Sequence, residues 1–188
     1  MSENNNAATA RTVSADVASK QGKLSITSLV LLAVLLAAGT ILNMTVGNAL
    51  ATVGIKPQFI IAAYALAILL TNANFGQAAI FGLISAAVIQ LSTSIPGLNF
   101  FTELCGALTM CAIAHLNIKV GGKNVTPLVA TFVATLVSGA LFAVCGNVIM
   151  GAAMATALVK VPIVLGTACF NAIVVQALYL PLSKVMKR

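Results

Sequence analysis

Charged residues are scarce in this chain: they make up 7% of its 188 residues, and only three of them are acidic. An ordinary soluble domain carries roughly 25% charged residues, so a water-soluble globule is excluded. Disorder is excluded as well, because a disordered chain combines low hydrophobicity with high charge. Here 60% of the residues are hydrophobic and the mean hydropathy is +1.07. The composition therefore indicates an integral membrane protein.

Segments of strict apolar and polar alternation, which mark the strands of membrane β-barrels, are also missing. The apolar residues run almost without interruption and include many Ala, Leu and Gly residues. We therefore expect an all-α integral membrane protein. About 20 apolar residues cross a bilayer as a helix, so residues 24–188 have room for six transmembrane helices joined by short loops.

The first 23 residues differ in composition from the rest of the chain. They contain three consecutive asparagines and many Ser, Thr and Ala residues, and we expect residues 1–23 to be a disordered cytoplasmic leader. A cleaved signal peptide would have a short apolar core before a small-residue cleavage site. The first apolar run begins near Leu24 instead and is long enough to span a membrane.

Charges, prolines and polar clusters divide residues 24–188 into six candidate helices. The predicted helices cover residues 26–46, 59–70, 75–91, 100–116 and 125–146, and a sixth runs from the Lys160-Val161-Pro162 stretch to Pro181. The second of these is short for a span. Turn residues separate the others, notably the segment 92–97 with its Pro-Gly pair and the Gly121-Gly122 loop.

Ten Lys and Arg residues against three Asp and Glu residues give a formal net charge of +7. In a soluble protein this charge would suggest a nucleic-acid partner, but here the basic residues lie in tails and loops, so topology explains them and no nucleic acid is expected. With six spans, one side holds only Lys56 and Lys160. The other side holds Arg11, Lys20, Lys23, Lys119, Lys123, Lys184, Lys187 and Arg188. The positive-inside rule then predicts that both termini are cytoplasmic.

Glu103 is the only acidic residue beyond position 16, and it lies just inside the outer end of the fourth predicted helix. A carboxylate in a membrane helix costs on the order of 3 kcal/mol at the bilayer centre and less near the surface, so it needs a partner or a function. One interpretation is structural, with Glu103 paired to Lys56 or Lys160. The other is a pocket for a zwitterion, with its ammonium on Glu103 and its carboxylate on a lysine.

Further polar and aromatic side chains near the outer margin support a pocket. The amides can donate and accept hydrogen bonds, and a phenylalanine could stack on a ring of the substrate. The run from Asn99 to Glu103 beside the Pro96-Gly97 turn concentrates such residues. The predicted substrate-binding residues are Lys56, Gln58, Asn99, Phe100, Glu103, Asn147 and Lys160.

Catalytic motifs can be tested and rejected. Gly122-Lys123-Asn124 lacks the upstream glycine and the Ser or Thr of a Walker A loop, so any ATP hydrolysis must come from another protein. His115 precedes Ser138, the reverse of their order in intramembrane serine proteases. The cysteines form no C-x-x-C pair and are expected to be packing residues: Cys105, Cys111, Cys145 and Cys169. We expect no enzymatic activity, no cofactor and no metal.

Ala33 and Ala37 lie four residues apart in the first predicted helix, with Ala38 and Gly39 beside them. Small residues at this spacing let another helix approach closely, either within the bundle or from a partner. A six-helix bundle of this size, with cytoplasmic termini, this alanine pair and polar outer loops, resembles the substrate-binding S components of energy-coupling-factor (ECF) transporters.

Within that group the chain most resembles the tryptophan-transporter family of the TrpP type. The resemblance rests on the stretches 33–39, 54–57 and 82–103. It implies that the outer loops bind tryptophan and that Ala33 and Ala37 dock on a transmembrane coupling subunit driven by two ATPase subunits. Two alternatives stay open, an S component for another small molecule such as a vitamin and a membrane scaffold or assembly protein that transports nothing.

Overall fold

The computed structural model describes residues 24–52 and 57–186, which form six helices. The predicted leader, Lys56 and the last two residues lie outside this part of the chain. We number the helices in chain order as α1 Ile26–Ala51, α2 Phe59–Thr71, α3 Phe75–Ile89, α4 Leu98–Ala114, α5 Thr126–Ile149 and α6 Ala155–Met186. The strands of the described residues, β1 Lys119–Val120 and β2 Lys123–Asn124, form a small antiparallel hairpin. The predicted all-α fold class is confirmed.

Each predicted helix exists, but two of them have wrong ends. Helix α1 continues beyond residue 46 through a π-helical segment, Asn43–Gly47, and ends at Ala51. Helix α6 contains both Pro162 and Pro181, which the sequence analysis placed at its two ends. Proline removes an N–H donor and crowds the preceding turn, and it therefore often ends helices in water. In membrane proteins, neighbouring helices and small backbone adjustments can satisfy the freed carbonyls, and the helix can continue.

Helices α1, α5 and α6 have 26, 24 and 32 residues and are long and apolar enough to cross a membrane. Helices α2, α3 and α4 have only 13, 15 and 17 residues. At 1.5 Å per residue, α2 extends about 20 Å, whereas the hydrocarbon core is about 30 Å thick. The lengths therefore give three candidate spans, and six spans require α2, α3 and α4 to end inside the membrane.

Helix α2 lies at the centre of the bundle and packs against each of the other five helices. All of its residues from 59 to 68 are buried, as expected for a helix that is apolar on every side. A hydrogen bond connects the start of α2 to α6. The backbone carbonyl of Gln58, the residue before α2, accepts it from Asn171 Nδ2 at 3.3 Å. A short helix can therefore end within this bundle without exposing its backbone to lipid.

Two glycines bring neighbouring helices unusually close. A Cβ atom at Gly39 of α1 would lie 2.9 Å from the carbonyl oxygen of Phe59. One at Gly82 of α3 would lie 2.7 Å from Ala107 Cβ and 2.9 Å from the carbonyl oxygen of Glu103. Since no side chain fits at these distances, Gly82 allows α3 to pack directly on the turn of α4 that carries Glu103.

The described lysines are unequally distributed between the two ends of the bundle. Lys119, Lys123 and Lys184 lie at the end that carries the β-hairpin, which we call the hairpin end. Lys160 lies at the opposite end, where the segment 90–97 joins α3 to α4. Large apolar side chains are exposed along α1, α5 and α6, for example Val34, Val148 and Ile173. Such a surface fits lipid far better than water.

Candidate functional site

A cavity of about 400 Å³ lies between the helices at the end opposite the hairpin. Small-molecule sites typically measure about 300–1,000 Å³, so the cavity is large enough for a metabolite. All six helices and the 90–97 segment contribute to its wall. The wall has an apolar part, formed by Ile61, Ile89, Phe142, Ile163 and Val164, beside a set of polar side chains.

Four of the seven predicted substrate-binding residues line this cavity, namely Gln58, Asn99, Glu103 and Lys160. They come from three different parts of the chain, the segment before α2, helix α4 and helix α6, and the bundle brings them together because all lie near the same end. Lys56, also predicted here, lies outside the described residues. Substrate binding by these four residues stays a prediction.

Phe100 is not brought together with the other predicted residues, because it does not line the cavity and is 39% exposed. The reason is helical geometry. Asn99 and Glu103 are four residues apart and share one face of α4, whereas Phe100 is turned about 100° away from Asn99 by the 3.6-residue repeat. Phe142, on α5, supplies an aromatic ring in the wall instead.

Glu103 is buried, with 3% of its surface exposed. Its Oε1 accepts a hydrogen bond of 2.7 Å from Ser138 Oγ on α5, while its Oε2 is buried and has no hydrogen-bond partner. The hydroxyl of Tyr64 interacts electrostatically with the same carboxylate, but it makes no hydrogen bond of ordinary geometry. Ser138 thus holds Oε1 of the carboxylate, whereas Oε2 makes no hydrogen bond within the protein.

Lys160 is held by Asn147 rather than by Glu103. Lys160 Nζ donates a hydrogen bond of 2.8 Å to Asn147 Oδ1, and Asn147 Nδ2 donates one of 2.7 Å to Thr156 Oγ1. Asn147 is only 1% exposed and does not line the cavity. Asn147, also predicted to bind substrate, therefore lies behind the cavity wall, where its side chain joins α5 to the start of α6 and positions Lys160. The Glu103–Lys160 pair, one of the two pairs that the structural interpretation allowed, is not formed, and Lys56 of the other pair lies outside the described residues.

The side chain of Asn99 also makes a hydrogen bond within the protein. Its Nδ2 donates to Thr93 Oγ1, and the side chain of Gln90 accepts a hydrogen bond of 3.0 Å from the backbone N–H of Gly97. Gly97 has a φ of +85°, which favours glycine because other residues are strained there. These contacts fix the 90–97 segment, which forms one side of the cavity.

Thr135 of α5 is a cavity residue that the sequence analysis missed. It is 2% exposed, and its Oγ1 has no hydrogen-bond partner. A pattern in the sequence could have indicated it, since Thr131, Thr135 and Ser138 have the spacing of one helix face. All three are buried, so α5 turns a polar stripe inward within an otherwise apolar helix.

Ala33 and Ala37 are exposed on the outside of α1, whereas Leu32, Leu36 and Gly39 of the same helix are buried. The alanine pair therefore takes no part in packing within the described bundle. The pair faces outward, toward lipid or a partner helix.

Within residues 24–52 and 57–186 no group of three His, Cys, Asp or Glu side chains is placed to hold a metal ion. Comparison of the chain with protein-family models, with curated proteins and with solved structures gives no match. The interpretation of the cavity therefore depends on its own geometry and chemistry.

Proposed function

We propose that the chain is a membrane-embedded subunit that binds a small molecule in the cavity and mediates its uptake. The observation that carries the proposal is Glu103, a residue of the cavity wall whose carboxylate is buried and whose Oε2 makes no hydrogen bond. A buried charge is costly unless it is paired, and an ionisable group within a membrane bundle is by default a candidate for function. A scaffold that binds no ligand has no need of such a group.

The proposed substrate is a zwitterion with an apolar body, and tryptophan is our first candidate. Glu103 and Lys160 line the same cavity without pairing to each other, so each charge is available to a group of opposite sign. The apolar wall around Phe142 would receive an aromatic ring. The choice of tryptophan follows from the family resemblance, and the charges support any zwitterion of similar size.

The proposed topology has six spans, with both termini in the cytoplasm of a bacterial cell and the cavity facing outward. The eight-to-two distribution of basic residues supports this orientation. The short helices α2, α3 and α4 would end within the membrane, where the cavity replaces lipid around their ends. Irregular backbone is tolerated at membrane depth when it is buried in protein or lines a cavity.

Energy for transport would come from a separate ECF module, composed of a transmembrane coupling subunit and two ATPase subunits. The outward position of Ala33 and Ala37 on α1 supports docking of the coupling subunit there. This surface lies on the outside of the bundle, and neither alanine lines the cavity.

Native mass spectrometry of the detergent-purified protein, followed by titration calorimetry with L-tryptophan, tests the proposal. We expect a small molecule to co-purify and Glu103→Gln to reduce its occupancy. The control is Lys184→Met, which removes a charge at the hairpin end and should leave occupancy unchanged. A purified protein that carries no small molecule and binds none would contradict the proposed function, and a bound molecule other than tryptophan would contradict only the choice of substrate.

A further inference from the structure

Three of the residues that line the cavity each carry a buried side-chain oxygen without a hydrogen-bond partner: Gln58 Oε1, Glu103 Oε2 and Thr135 Oγ1. Among the described residues, only Tyr64 and Asn171 carry other buried side-chain oxygens that lack a hydrogen bond. Buried polar atoms in folded proteins are nearly always satisfied. The concentration of three exceptions in one cavity points to a missing hydrogen-bonding group of a ligand.

The chemistry of the three oxygens restricts that group. The amide oxygen of Gln58 and the carboxylate of Glu103 only accept hydrogen bonds, and the hydroxyl of Thr135 can accept as well. The ligand must therefore donate, and a positive charge on it would offset the charge of Glu103. A primary ammonium has three N–H donors and no acceptor, which matches these oxygens in number and offsets the charge of Glu103.

A bare metal cation fits less well. Magnesium takes about six ligands and calcium about six to eight, with several carboxylates in dedicated protein sites. Among residues 24–52 and 57–186, Glu103 is the only carboxylate that lines the cavity, and Lys160 on the same wall would repel a cation that carries no compensating group. The apolar part of the wall, around Ile61 and Phe142, requires an organic body attached to the charge.

We infer that Gln58, Glu103 and Thr135 form a primary-ammonium subsite of the cavity. This inference rests on the proposed function and deepens it, because it assigns the substrate to the primary amines and gives Thr135 a binding role. The three residues belong to the segment before α2, to α4 and to α5. An ammonium bound by all three would therefore connect three parts of the bundle.

The experiment is titration calorimetry on the detergent-purified full chain with four probes: L-tryptophan, tryptamine, N,N,N-trimethyltryptammonium and indole-3-propionate. Trimethylation keeps the positive charge and removes all three N–H donors, so we expect it to weaken binding roughly tenfold or more relative to tryptamine. Indole-3-propionate has no ammonium and should bind equally to wild type and to Glu103→Gln.

Two threonines of α5 form a matched pair of variants. Thr135→Val should weaken binding of tryptamine roughly two- to tenfold, because it removes one neutral acceptor. Thr131→Val, one turn away, changes a threonine that is also buried but does not line the cavity, and it should leave the affinity unchanged. Since Thr135 Oγ1 makes no hydrogen bond within the protein, Thr135→Val should not lower the melting temperature.

The inference is overturned if tryptamine and its trimethylated form bind equally well, or if Thr135→Val and Thr131→Val have the same affinity as wild type. It is also overturned if the co-purifying molecule has no primary amine. In these cases the proposed binding function would survive. If none of the four probes binds and no molecule co-purifies, the subsite and the proposed function both fail.

Discussion

Ser138 of α5 donates a hydrogen bond of 2.7 Å to Glu103 of α4 across the interface between the two helices. Gly106 permits this contact, since a Cβ atom there would lie 3.1 Å from Ser138 Cβ and 2.7 Å from the hydroxyl of Tyr64. The bond holds Oε1 of the carboxylate toward α5, whereas Oε2 makes no hydrogen bond within the protein. The packing of α4 on α5 therefore determines how Glu103 is presented.

The orientation of the bundle can be tested with single cysteines in a background without native cysteines. Ser94→Cys, in the exposed 90–97 segment, should react with a membrane-impermeant maleimide added to intact cells. Lys123→Cys, in the exposed hairpin, should react only after the cells are opened. We expect this difference because the positive-inside rule puts the lysine-rich hairpin end in the cytoplasm. Labelling in the reverse order would place the cavity on the cytoplasmic side.

Replacing both Ala33 and Ala37 by leucine should abolish co-purification with a coupling subunit and reduce uptake, because the larger side chains prevent close helix approach. Ligand affinity of the isolated protein should remain within about twofold, since the pair is exposed and does not line the cavity. Val34→Leu, also on the exposed surface of α1, is the control and should leave both properties unchanged. Loss of ligand binding in the double variant would speak against a docking role.

Lys160→Met should weaken binding of L-tryptophan by about 1.5–3 kcal/mol, or roughly ten- to a hundredfold, because the variant loses a charge-assisted hydrogen bond to the carboxylate. Tryptamine lacks the carboxylate and should not lose affinity. Calorimetry with the two ligands separates these effects, and Lys184→Met serves as a control at the hairpin end. Equal losses for the two ligands would mean that Lys160 supports the fold of the cavity and does not contact the carboxylate.

Gly82→Ala should lower stability by about 1–3 kcal/mol, because its Cβ atom would lie 2.7 Å from Ala107 Cβ and force α3 away from α4. Gly166→Ala is the matched control on α6, where an added Cβ meets no atom within 4 Å. It should be neutral or stabilising by up to about 1 kcal/mol, since alanine favours helix more than glycine does. Thermal unfolding of the two variants in detergent measures the difference, and equal melting temperatures would contradict the tight α3–α4 contact.

The existence and order of the six helices could be read from the sequence, because long apolar runs separated by turn residues leave few other structures possible. The starts of α1, α2 and α3 agree with the prediction to the residue. The ends of α6 could not be read, since Pro162 and Pro181 interrupt a helix in water but are accommodated here. The central position of α2 could not be read either, since its sequence shows only that it is apolar and short for a span.

The sequence also indicated which end of the bundle each polar residue occupies, and this was enough to bring Gln58, Asn99, Glu103 and Lys160 into one group. The sequence did not indicate the direction in which each side chain points around its helix. The helices are apolar on nearly every face, so the sequence provides little amphipathic pattern from which an inward face can be inferred. Tertiary packing decided that Phe100 lies outside the cavity wall, that Asn147 supports Lys160, and that Thr135 faces the cavity.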